Sequence, residues 1–158
     1  MQPFTHLHVH SQYSLLGATP SVEELAQRAA ADGHSHLALS DTNVLYGAVS
    51  FARACRDAGV QPIVGMTVTV ALDQDLAVQL PNPPPTGLLV LLATAPTGYR
   101  ALCRLSSLIQ GHPDREARAA RGLSLDDLRT QAEGLLCLTG GRRCWVTRAL
   151  RAGGHQVA

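Results

Sequence analysis

Three histidines alternate with apolar residues near the first residue of the chain, in the run His6-Leu7-His8-Val9-His10. In a β-strand the three imidazoles share one face and Leu7 and Val9 the other, because successive side chains of a strand point in opposite directions. Histidine is the commonest metal ligand, and this spacing aims consecutive rings at one point. The pattern predicts a metal site at the end of a sheet. The alternative is a strand whose histidines are held by packing or hydrogen bonds without metal.

The composition is typical of one apolar and nearly neutral domain. The 158 residues are 46% apolar and 16% charged, with a formal net charge of +1. This charge argues against strong electrostatic attraction to nucleic acid. The length suits a single domain over 1–158 that buries a substantial core. No run approaches the roughly 20 apolar residues of a membrane span and no secretory signal is recognisable, which predicts a cytoplasmic protein.

Hydrophobic periodicity divides the chain into alternating strands and helices. Strands are predicted at 4–9, 36–40, 61–70, 88–93 and 134–138. Helices are predicted from Ser21 to about Gly33, at 46–58, at 96–109, briefly after Ser124, and at 144–150. Short connections between the first three strands predict parallel pairing with right-handed crossovers. The predicted fold class is therefore α/β, with parallel strands and flanking helices.

Two segments are predicted to lie on the surface outside this repeating pattern. Residues 73–87 begin with a short hairpin arm over 73–80 and continue into the proline-rich run at 81–85, which favours an extended linker. Residues 111–122 are dense in arginine and acidic residues and are predicted to form a solvated loop. Contact of this loop with a phosphate backbone is the less favoured alternative.

The second predicted strand ends in the polar residues Asp41, Thr42 and Asn43. Because α/β folds place their chemistry at the carboxyl ends of parallel strands, Asp41 is expected beside the histidines of the first strand. A buried carboxylate needs a hydrogen-bond partner. We therefore predict that Asp41 accepts a hydrogen bond from one of these histidines.

Four segments, in this order, resemble a known family. They are HLHVHSQYSLL (6–16), ALSDTNVLYGAVSFARACRDAGVQPIVG (38–65), LLVLLATAPTGYRALCRLSSLIQG (88–111) and GLSLDDLRTQAEGLLCLTGG (122–141). The sequence resembles the polymerase-and-histidinol-phosphatase (PHP) domain at the N-terminus of bacterial DNA polymerase III alpha subunits. This resemblance implies a distorted seven-stranded (β/α) barrel. The chain would form the first part of that barrel, truncated at the C-terminus.

The resemblance also implies a set of metal ligands, most of which are replaced here. His8 and His10 match the first ligand pair of the family. Further ligands are usually an acidic residue after Tyr-Ser-Leu-Leu, a histidine after Asp41, a glutamate in Gly-x-Glu, a histidine opening the fourth strand, and a cysteine or histidine after the fifth. In the same order these positions hold Gly17, Thr42, Thr67, Leu88 and Gly141.

Five replaced ligands predict a metal site that has decayed. A catalytic zinc ion needs three protein ligands and an open coordination position, and a bridged multi-metal site needs carboxylates to offset its charge. We therefore expect no cofactor and no catalytic residue. His8 and His10 are predicted to be vestigial metal positions, and His6 and Asp41 to join them in a remnant hydrogen-bond network. A site that still functions would hold zinc or manganese.

The family implies two functions of different classes. The first is a non-catalytic structural or docking module of the replicative DNA polymerase. Its partners would be the rest of the polymerase chain and the proofreading exonuclease subunit, with DNA reached only through the full-length polymerase and no membrane contact. The alternative is a metal-dependent phosphoesterase or 3′–5′ proofreading exonuclease, or a free-standing phosphatase. The replaced ligands favour the structural module, and nothing in the chain resembles the catalytic aspartates of a polymerase palm.

Overall fold

The computed structural model describes residues 4–72 and 86–144, together with positions 147 and 151. The strands are β1 (His36–Leu39), β2 (Gln61–Ala71), β3 (Thr86–Ala93) and β4 (Leu135–Thr139). The helices are α1 (Val22–Ala31), α2 (Ala48–Asp57), α3 (Pro96–Gln110), α4 (Arg115–Arg121) and α5 (Leu125–Thr130), followed by a 3-10 helix (Gly141–Arg143). Among the described residues, no helix combines the length and the apolar character needed to cross a bilayer.

The four strands form one mixed sheet in the order β1-β2-β3-β4. β1 and β2 are parallel, as predicted, with Leu39 opposite Val64. β3 is antiparallel to both β2 and β4, with Thr67 opposite Val90. The α/β class is confirmed, and the expectation of parallel strands is corrected for β3 and β4. Hydrophobic periodicity identifies residues that form strands, but it does not report the direction in which neighbouring strands pair.

The segment predicted as the first strand runs beside β1 without forming a regular strand. His6 makes an isolated parallel bridge to Leu37. The carbonyl of His6 accepts the Ala38 amide at 3.0 Å, and the carbonyl of Val9 accepts the Ser40 amide at 2.7 Å. Between these two bonds the backbone bends at residue 8. The edge of β1 is covered, but the strict alternation of side chains is broken.

Helix α1 begins at the predicted capping box. The Ser21 hydroxyl accepts the Glu24 amide at 3.2 Å, and the Glu24 carboxylate accepts the Ser21 amide at 2.7 Å. This reciprocal pairing satisfies two amides that a helix start leaves without intrahelical partners. The buried face of α1 packs with α2 and β1 in one core cluster that includes Val22, Ala26 and Phe51.

The side chains of β2 alternate between two environments. Met66, Val68 and Val70 are fully buried in a cluster with residues of α3. Thr67 is also fully buried, but as the residue between Met66 and Val68 it points to the opposite face of the sheet. That face carries a smaller apolar cluster around Val90 and ends at the histidine segment. The packing of β2 therefore directs a threonine hydroxyl towards the candidate site.

The prediction of a loop over 111–122 is wrong in part, because Arg115–Arg121 form helix α4. The carboxylate of Asp114 caps this helix by accepting the Ala117 amide at 3.0 Å, and Gly122 ends it with φ +79°. No residue of α4 is buried. The predicted hairpin at 73–80 and proline-rich run at 81–85 lie outside the described residues, as does most of the helix predicted at 144–150. The last two residues of the surface segment predicted at 73–87, Thr86 and Gly87, instead begin β3, and Gly87 is buried.

Candidate functional site

The candidate site lies where the chain leaves β1 and passes the middle of β2. The Thr67 amide donates to the Asp41 carbonyl at 3.1 Å, and the Asn43 amide donates to the Thr67 carbonyl at 2.7 Å. These bonds extend the parallel pairing of the two strands beyond Leu39. They bring Asp41 and Thr67 to the same edge of the sheet, next to the histidine segment.

His8 and His10 lie together, as their spacing predicts. Their Nε2 atoms are 2.9 Å apart, and their ring centroids are separated by 4.8 Å. His6 lies elsewhere, with its ring packed edge-on against Phe4 at 4.8 Å and His34 at 5.1 Å. The prediction that three imidazoles share one face is therefore wrong for His6. The bend at residue 8 is the cause, because it ends the two-residue alternation of a strand.

Asp41 is almost completely buried, with 2% of its surface exposed. Its Oδ1 accepts hydrogen bonds from the Ser11 amide and the Ser14 hydroxyl, and its Oδ2 accepts one from the Ser11 hydroxyl, each at 2.7 Å. The predicted direct bond from a histidine is replaced by a relay, since Nδ1 of His10 lies 3.0 Å from the Ser14 hydroxyl. His6 takes no part in this network. The turn at 11–14 folds between His10 and Asp41 and supplies the donors that a buried carboxylate needs.

The donors and acceptors of this network determine which nitrogen atoms carry hydrogen. Ser14 gives its only hydroxyl hydrogen to Asp41, so its oxygen accepts from Nδ1–H of His10. In a neutral His10 ring the Nε2 atom is then an acceptor, and Nε2–H of His8 donates to it. Thr67 donates to the Ser40 carbonyl at 2.8 Å, so its 3.2 Å contact with His8 is also that of an acceptor. Both rings are thereby held by protein groups alone.

Burial keeps both imidazoles neutral. Desolvation lowers the pKa of His8, and the neighbouring His10 lowers it further. Desolvation also lowers the pKa of His10, against a smaller opposing effect of Asp41. A pKa below the usual 6.5 means that the uncharged form predominates at pH 7. This agrees with the neutral tautomers that the hydrogen bonds require.

The side chains around the pair do not fit the metal centre that the family resemblance implies. Two neutral Nε2 atoms 2.9 Å apart could share one cation. The third side, however, is the uncharged hydroxyl of Thr67, and both oxygens of Asp41 are engaged by serines. Within residues 4–72 and 86–144, no three His, Cys, Asp or Glu residues form a group that could hold a metal ion. The site lacks the third ligand of a catalytic zinc and the carboxylates of a multi-metal centre.

The other four positions at which the family resemblance implies a ligand lie on different segments of the chain. Thr42 forms the bridge to Thr67, and its amide donates to the Ser14 hydroxyl at 3.0 Å. Leu88 is paired with Thr69 on β2, and its side chain has no atom that could bind a metal. Gly17 belongs to an exposed turn, and Gly141 begins the 3-10 helix after β4. None of these residues supplies a charge to the site.

Sequence reasoning missed the residues that organise the network. Ser11 and Ser14 are buried and hold Asp41, and the only sequence signal is a Ser-x-x-Ser spacing directly after the histidines.

Asn43 is buried with φ +59°, a backbone conformation that asparagine tolerates better than most residues. Its Oδ1 accepts the Thr69 amide at 3.0 Å, and its carbonyl accepts Nε2–H of Gln110 at 3.0 Å. Asn43 therefore connects the end of β1 to β2 and α3.

Three comparisons describe what the chain is similar to. The model of the PHP domain family matches residues 6–158. The chain is 37% identical over 150 residues to the DNA polymerase III subunit alpha of Bacillus subtilis, with 95% of this chain and 12% of that protein covered. It is also 37% identical over 156 residues to the error-prone DNA polymerase of Mycobacterium bovis, with 98% and 14% covered. The chain thus spans about an eighth of the length of these polymerases.

A solved structure shares the fold. The crystal structure of a candidate metal-dependent phosphoesterase from Bifidobacterium adolescentis superposes with a TM-score of 0.54 at 18% sequence identity. The superposition covers 98% of this chain and 51% of that protein. This likeness is consistent with the prediction that the chain forms the first part of a PHP barrel.

Proposed function

The chain belongs to the PHP domain family, and from this premise we propose that it is the PHP domain of a bacterial DNA polymerase, acting there as a non-catalytic structural and docking module. The extended similarity to polymerase III alpha subunits and error-prone polymerases supports the polymerase context. In this proposal the module serves DNA replication in the cytoplasm, and DNA is bound by the full-length polymerase.

The observation that carries the non-catalytic role is the position of Thr67. Its hydroxyl completes the surroundings of the His8–His10 pair at the point where the family pattern places a glutamate. Threonine cannot offset the charge of a divalent cation, and its only hydroxyl hydrogen is already bonded to the Ser40 carbonyl. The rings are instead oriented by a hydrogen-bond chain that ends at the buried carboxylate of Asp41. Such a chain stabilises the edge of the sheet and needs no metal.

A metal-dependent phosphoesterase or 3′–5′ exonuclease is the second candidate function. The observation in its favour is the convergence of the two Nε2 atoms at 2.9 Å, a separation that two ligands of one zinc or manganese ion could adopt. It ranks below the structural role because the described residues around the pair contribute no carboxylate ligand.

The rest of the polymerase chain is the proposed partner of the structural module, with the proofreading exonuclease subunit as a further partner.

An affinity tag inserted into the chromosomal gene tests the polymerase context. The purified protein is expected to be several times longer than 158 residues and to extend a primed DNA template. The double variant His8→Ala/His10→Ala, purified in the same way, is expected to keep primer extension within about threefold of the parent, because the pair does no polymerase chemistry. A tagged product of only 158 residues that incorporates no nucleotide would refute the proposal.

A further inference from the structure

A polar cavity of about 210 Å³ lies between α3 and the end of α5. One wall is a face of α3 that carries Thr97, Arg100 and Arg104, because residues three, four and seven apart share a face of a helix. The opposite wall is formed by Thr130, Gln131 and Glu133. The cavity, which we call the arginine cavity, lies outside the candidate site of His8 and His10.

The two walls of the arginine cavity are held together by direct contacts. Nη1 of Arg104 donates to Oε1 of Gln131 at 3.2 Å. The Gly134 carbonyl accepts both the amide and the hydroxyl of Thr94, each at 2.9 Å. The backbone of Gly134 also lies so close to Gly98 on α3 that a side chain at either glycine would collide with the other segment. The cavity is therefore formed before anything binds in it, as is usual for binding sites of small molecules.

Two positive charges face this cavity from one helix. Arg100 and Arg104 are four residues apart, and like charges at this spacing destabilise a helix unless they are compensated. Among the described residues, the arginines in ion pairs are Arg28, Arg118 and Arg129. Glu133 lines the same cavity, yet in this part of the chain its carboxylate pairs with neither arginine. The charges of the two guanidinium groups thus remain available to a bound anion.

The hydrogen-bonding groups of the arginine cavity are mainly donors. A guanidinium group has five N–H donors and no acceptor, and Arg104 uses one of them on Gln131. The amide nitrogen of Gln131 carries two further hydrogens that can reach an acceptor in the cavity. Thr130 gives its hydroxyl hydrogen to the Asp127 carbonyl at 3.0 Å and adds no donor. The site therefore suits an anion with several acceptor oxygens.

The charge of the chain is unevenly distributed in the same sense. Residues 1–99 contain three arginines and seven acidic residues, whereas residues 100–158 contain ten arginines and five acidic residues. The formal net charge of +1 thus combines an acidic part with a basic part. Both arginines of the cavity belong to the basic part, where the excess of positive charge favours the approach of an anion.

We propose that the arginine cavity binds a phosphate group, held by the guanidinium groups of Arg100 and Arg104 and by the amide of Gln131. The planar guanidinium fork matches two oxygens of a phosphate, and arginine and amide side chains commonly hold phosphate oxygens. The phosphate could be a free ion, part of a nucleotide or part of a nucleic-acid backbone, which share this chemistry. All the lining residues belong to this chain, so phosphate binding is independent of the polymerase context.

Protection of individual arginines from phenylglyoxal tests the site in the full-length tagged protein. Labelling is located by mass spectrometry with inorganic phosphate, dATP or a thymidine oligonucleotide present, each supplied at up to about 10 mM phosphate groups, the range of a weak surface site. We expect at least one of them to slow labelling of Arg100 and Arg104 by about fivefold or more, which corresponds to about 80% occupancy. Arg53, an exposed arginine of α2, is the control and is expected to react at an unchanged rate.

Sodium acetate at matched ionic strength separates phosphate binding from screening and from binding of any carboxylate. It is expected to leave the labelling of Arg100 and Arg104 unchanged. Protection by acetate equal to that by phosphate, protection of Arg53 to the same extent, or protection by none of the three phosphate compounds would each overturn the proposal.

A charge variant links the protection to the cavity itself. Glu133→Gln removes the negative charge of the cavity wall and is expected to lower the phosphate concentration for half-protection of Arg100 by about threefold, the order expected for one exposed charge. Glu116→Gln makes the same change of net charge on α4 outside the cavity, and it is expected to have no effect. Equal shifts in the two variants would show general attraction of anions and would refute the site.

The concentrations needed for protection identify the source of the phosphate. Protection by the oligonucleotide at a concentration of phosphate groups about tenfold below that of inorganic phosphate supports a site for the nucleic-acid backbone. Protection by inorganic phosphate or dATP at the lower concentration supports a site for a free phosphate or a nucleotide.

Discussion

The Oγ1 atom of Thr67 lies 3.2 Å from Nε2 of His8 and acts there as an acceptor, because Thr67 donates its own hydrogen to the Ser40 carbonyl. It shares the single Nε2–H of His8 with Nε2 of His10, which lies closer at 2.9 Å. A neutral side chain thus lies where the family resemblance implies a glutamate ligand, and it provides an acceptor for the imidazole. A glutamate at this position would bring negative charge to two neutral imidazoles that point at one spot. The difference between a metal centre and a hydrogen-bonded sheet edge therefore depends on a few side chains around an otherwise suitable pair.

Metal binding is the first prediction. We expect the parent chain to bind less than about 0.1 equivalent of zinc or manganese. The reason is that a stable zinc site needs at least three protein ligands, and only His8 and His10 are available here. Thr42→His/Thr67→Glu is expected to bind zinc, because it adds an imidazole and a carboxylate beside His8 and His10. Elemental analysis after gel filtration and calorimetric titration measure the stoichiometry.

The matched control is Thr42→His/Thr67→Gln, which has nearly the same shape and lacks the negative charge. It is expected to bind zinc at least about tenfold more weakly than the glutamate variant, a difference of about 1.4 kcal/mol. A tightly bound ion in the parent chain, lost when His8 and His10 are both changed to alanine, would contradict this prediction.

Stability is expected to fall with pH in mildly acidic solution. In the unfolded chain these histidines titrate near 6.5, whereas burial lowers the pKa of His8 and His10 in the folded chain. As the pH falls below about 6.5, the unfolded chain therefore binds protons first and is favoured, until the pH passes the lower folded values. The contribution of the neutral His8 and His10 rings to the stability of the folded chain is therefore fully present only above about pH 6.5. Urea unfolding at pH 7.5 and 5.5 measures the change.

His8→Gln isolates the contribution of the imidazole to this dependence. Glutamine is uncharged at both pH values, so the variant is expected to lose less stability between pH 7.5 and 5.5 than the parent. His112→Gln, on an exposed connection before α4, serves as the control and is expected to retain the parental pH dependence. A His8→Gln variant with the same pH dependence as the parent would show that this ring does not contribute.

The buried carboxylate of Asp41 is expected to be essential for stability. Asp41→Asn places an amide group where three donors converge at 2.7 Å, so at least one donor loses its acceptor or faces another donor. A buried polar group left without a partner costs about 1–3 kcal/mol, and more where the lost acceptor is charged. The midpoint of urea unfolding, followed by circular dichroism, measures the loss. Asp57→Asn at the exposed end of α2 is expected to change the free energy of unfolding by less than about 0.5 kcal/mol.

Local sequence signals predicted most of the fold because they act over a few residues. The capping box of Ser21 and Glu24 marked the start of α1, and the β-branched run over 61–70 marked β2. The family resemblance supplied the barrel context, which no periodicity contains. The direction of β3 and β4 was not predictable in this way. It depends on whether the preceding connection starts the next strand at the same end of the sheet or crosses to the opposite end.

The candidate site was predictable only as far as residue spacing determines it. The pairing of His8 and His10 follows from their separation of two residues. The replacement of ligands at Thr42 and Thr67 stays a prediction from the family resemblance. The displacement of His6 arises from a bend, and the bonds from Ser11 and Ser14 to Asp41 arise from a turn folding onto a neighbouring strand. Both are tertiary features without a periodic signature.

Helix α4 was missed because a run rich in arginine lacks the apolar face that marks a packed helix.

The final prediction concerns hydrolysis. With added manganese or zinc, the parent chain is expected to hydrolyse neither p-nitrophenyl phosphate nor single-stranded DNA from its 3′ end above the rate of a His8→Ala variant. Metal catalysis needs a held ion to activate water and to stabilise the charge on phosphate, and each 1.36 kcal/mol of lost transition-state stabilisation lowers the rate about tenfold. Thr67 and Leu88 contribute nothing to either requirement.

A rebuilt site makes this prediction decisive, because inactivity alone could have several causes. The rebuilt protein combines Thr42→His, Thr67→Glu and Leu88→His with an aspartate inserted after Leu16, and it is made in the full-length chain. Metal binding by the rebuilt protein but not by its parent is the expected outcome, because only the rebuilt site surrounds His8 and His10 with additional ligands. Metal-dependent hydrolysis by the unmodified full-length protein, abolished by His8→Ala, would instead establish the nuclease or phosphoesterase. In that case the Thr67 hydroxyl and the hydrogen-bond chain to Asp41 would describe only the metal-free state of an active site.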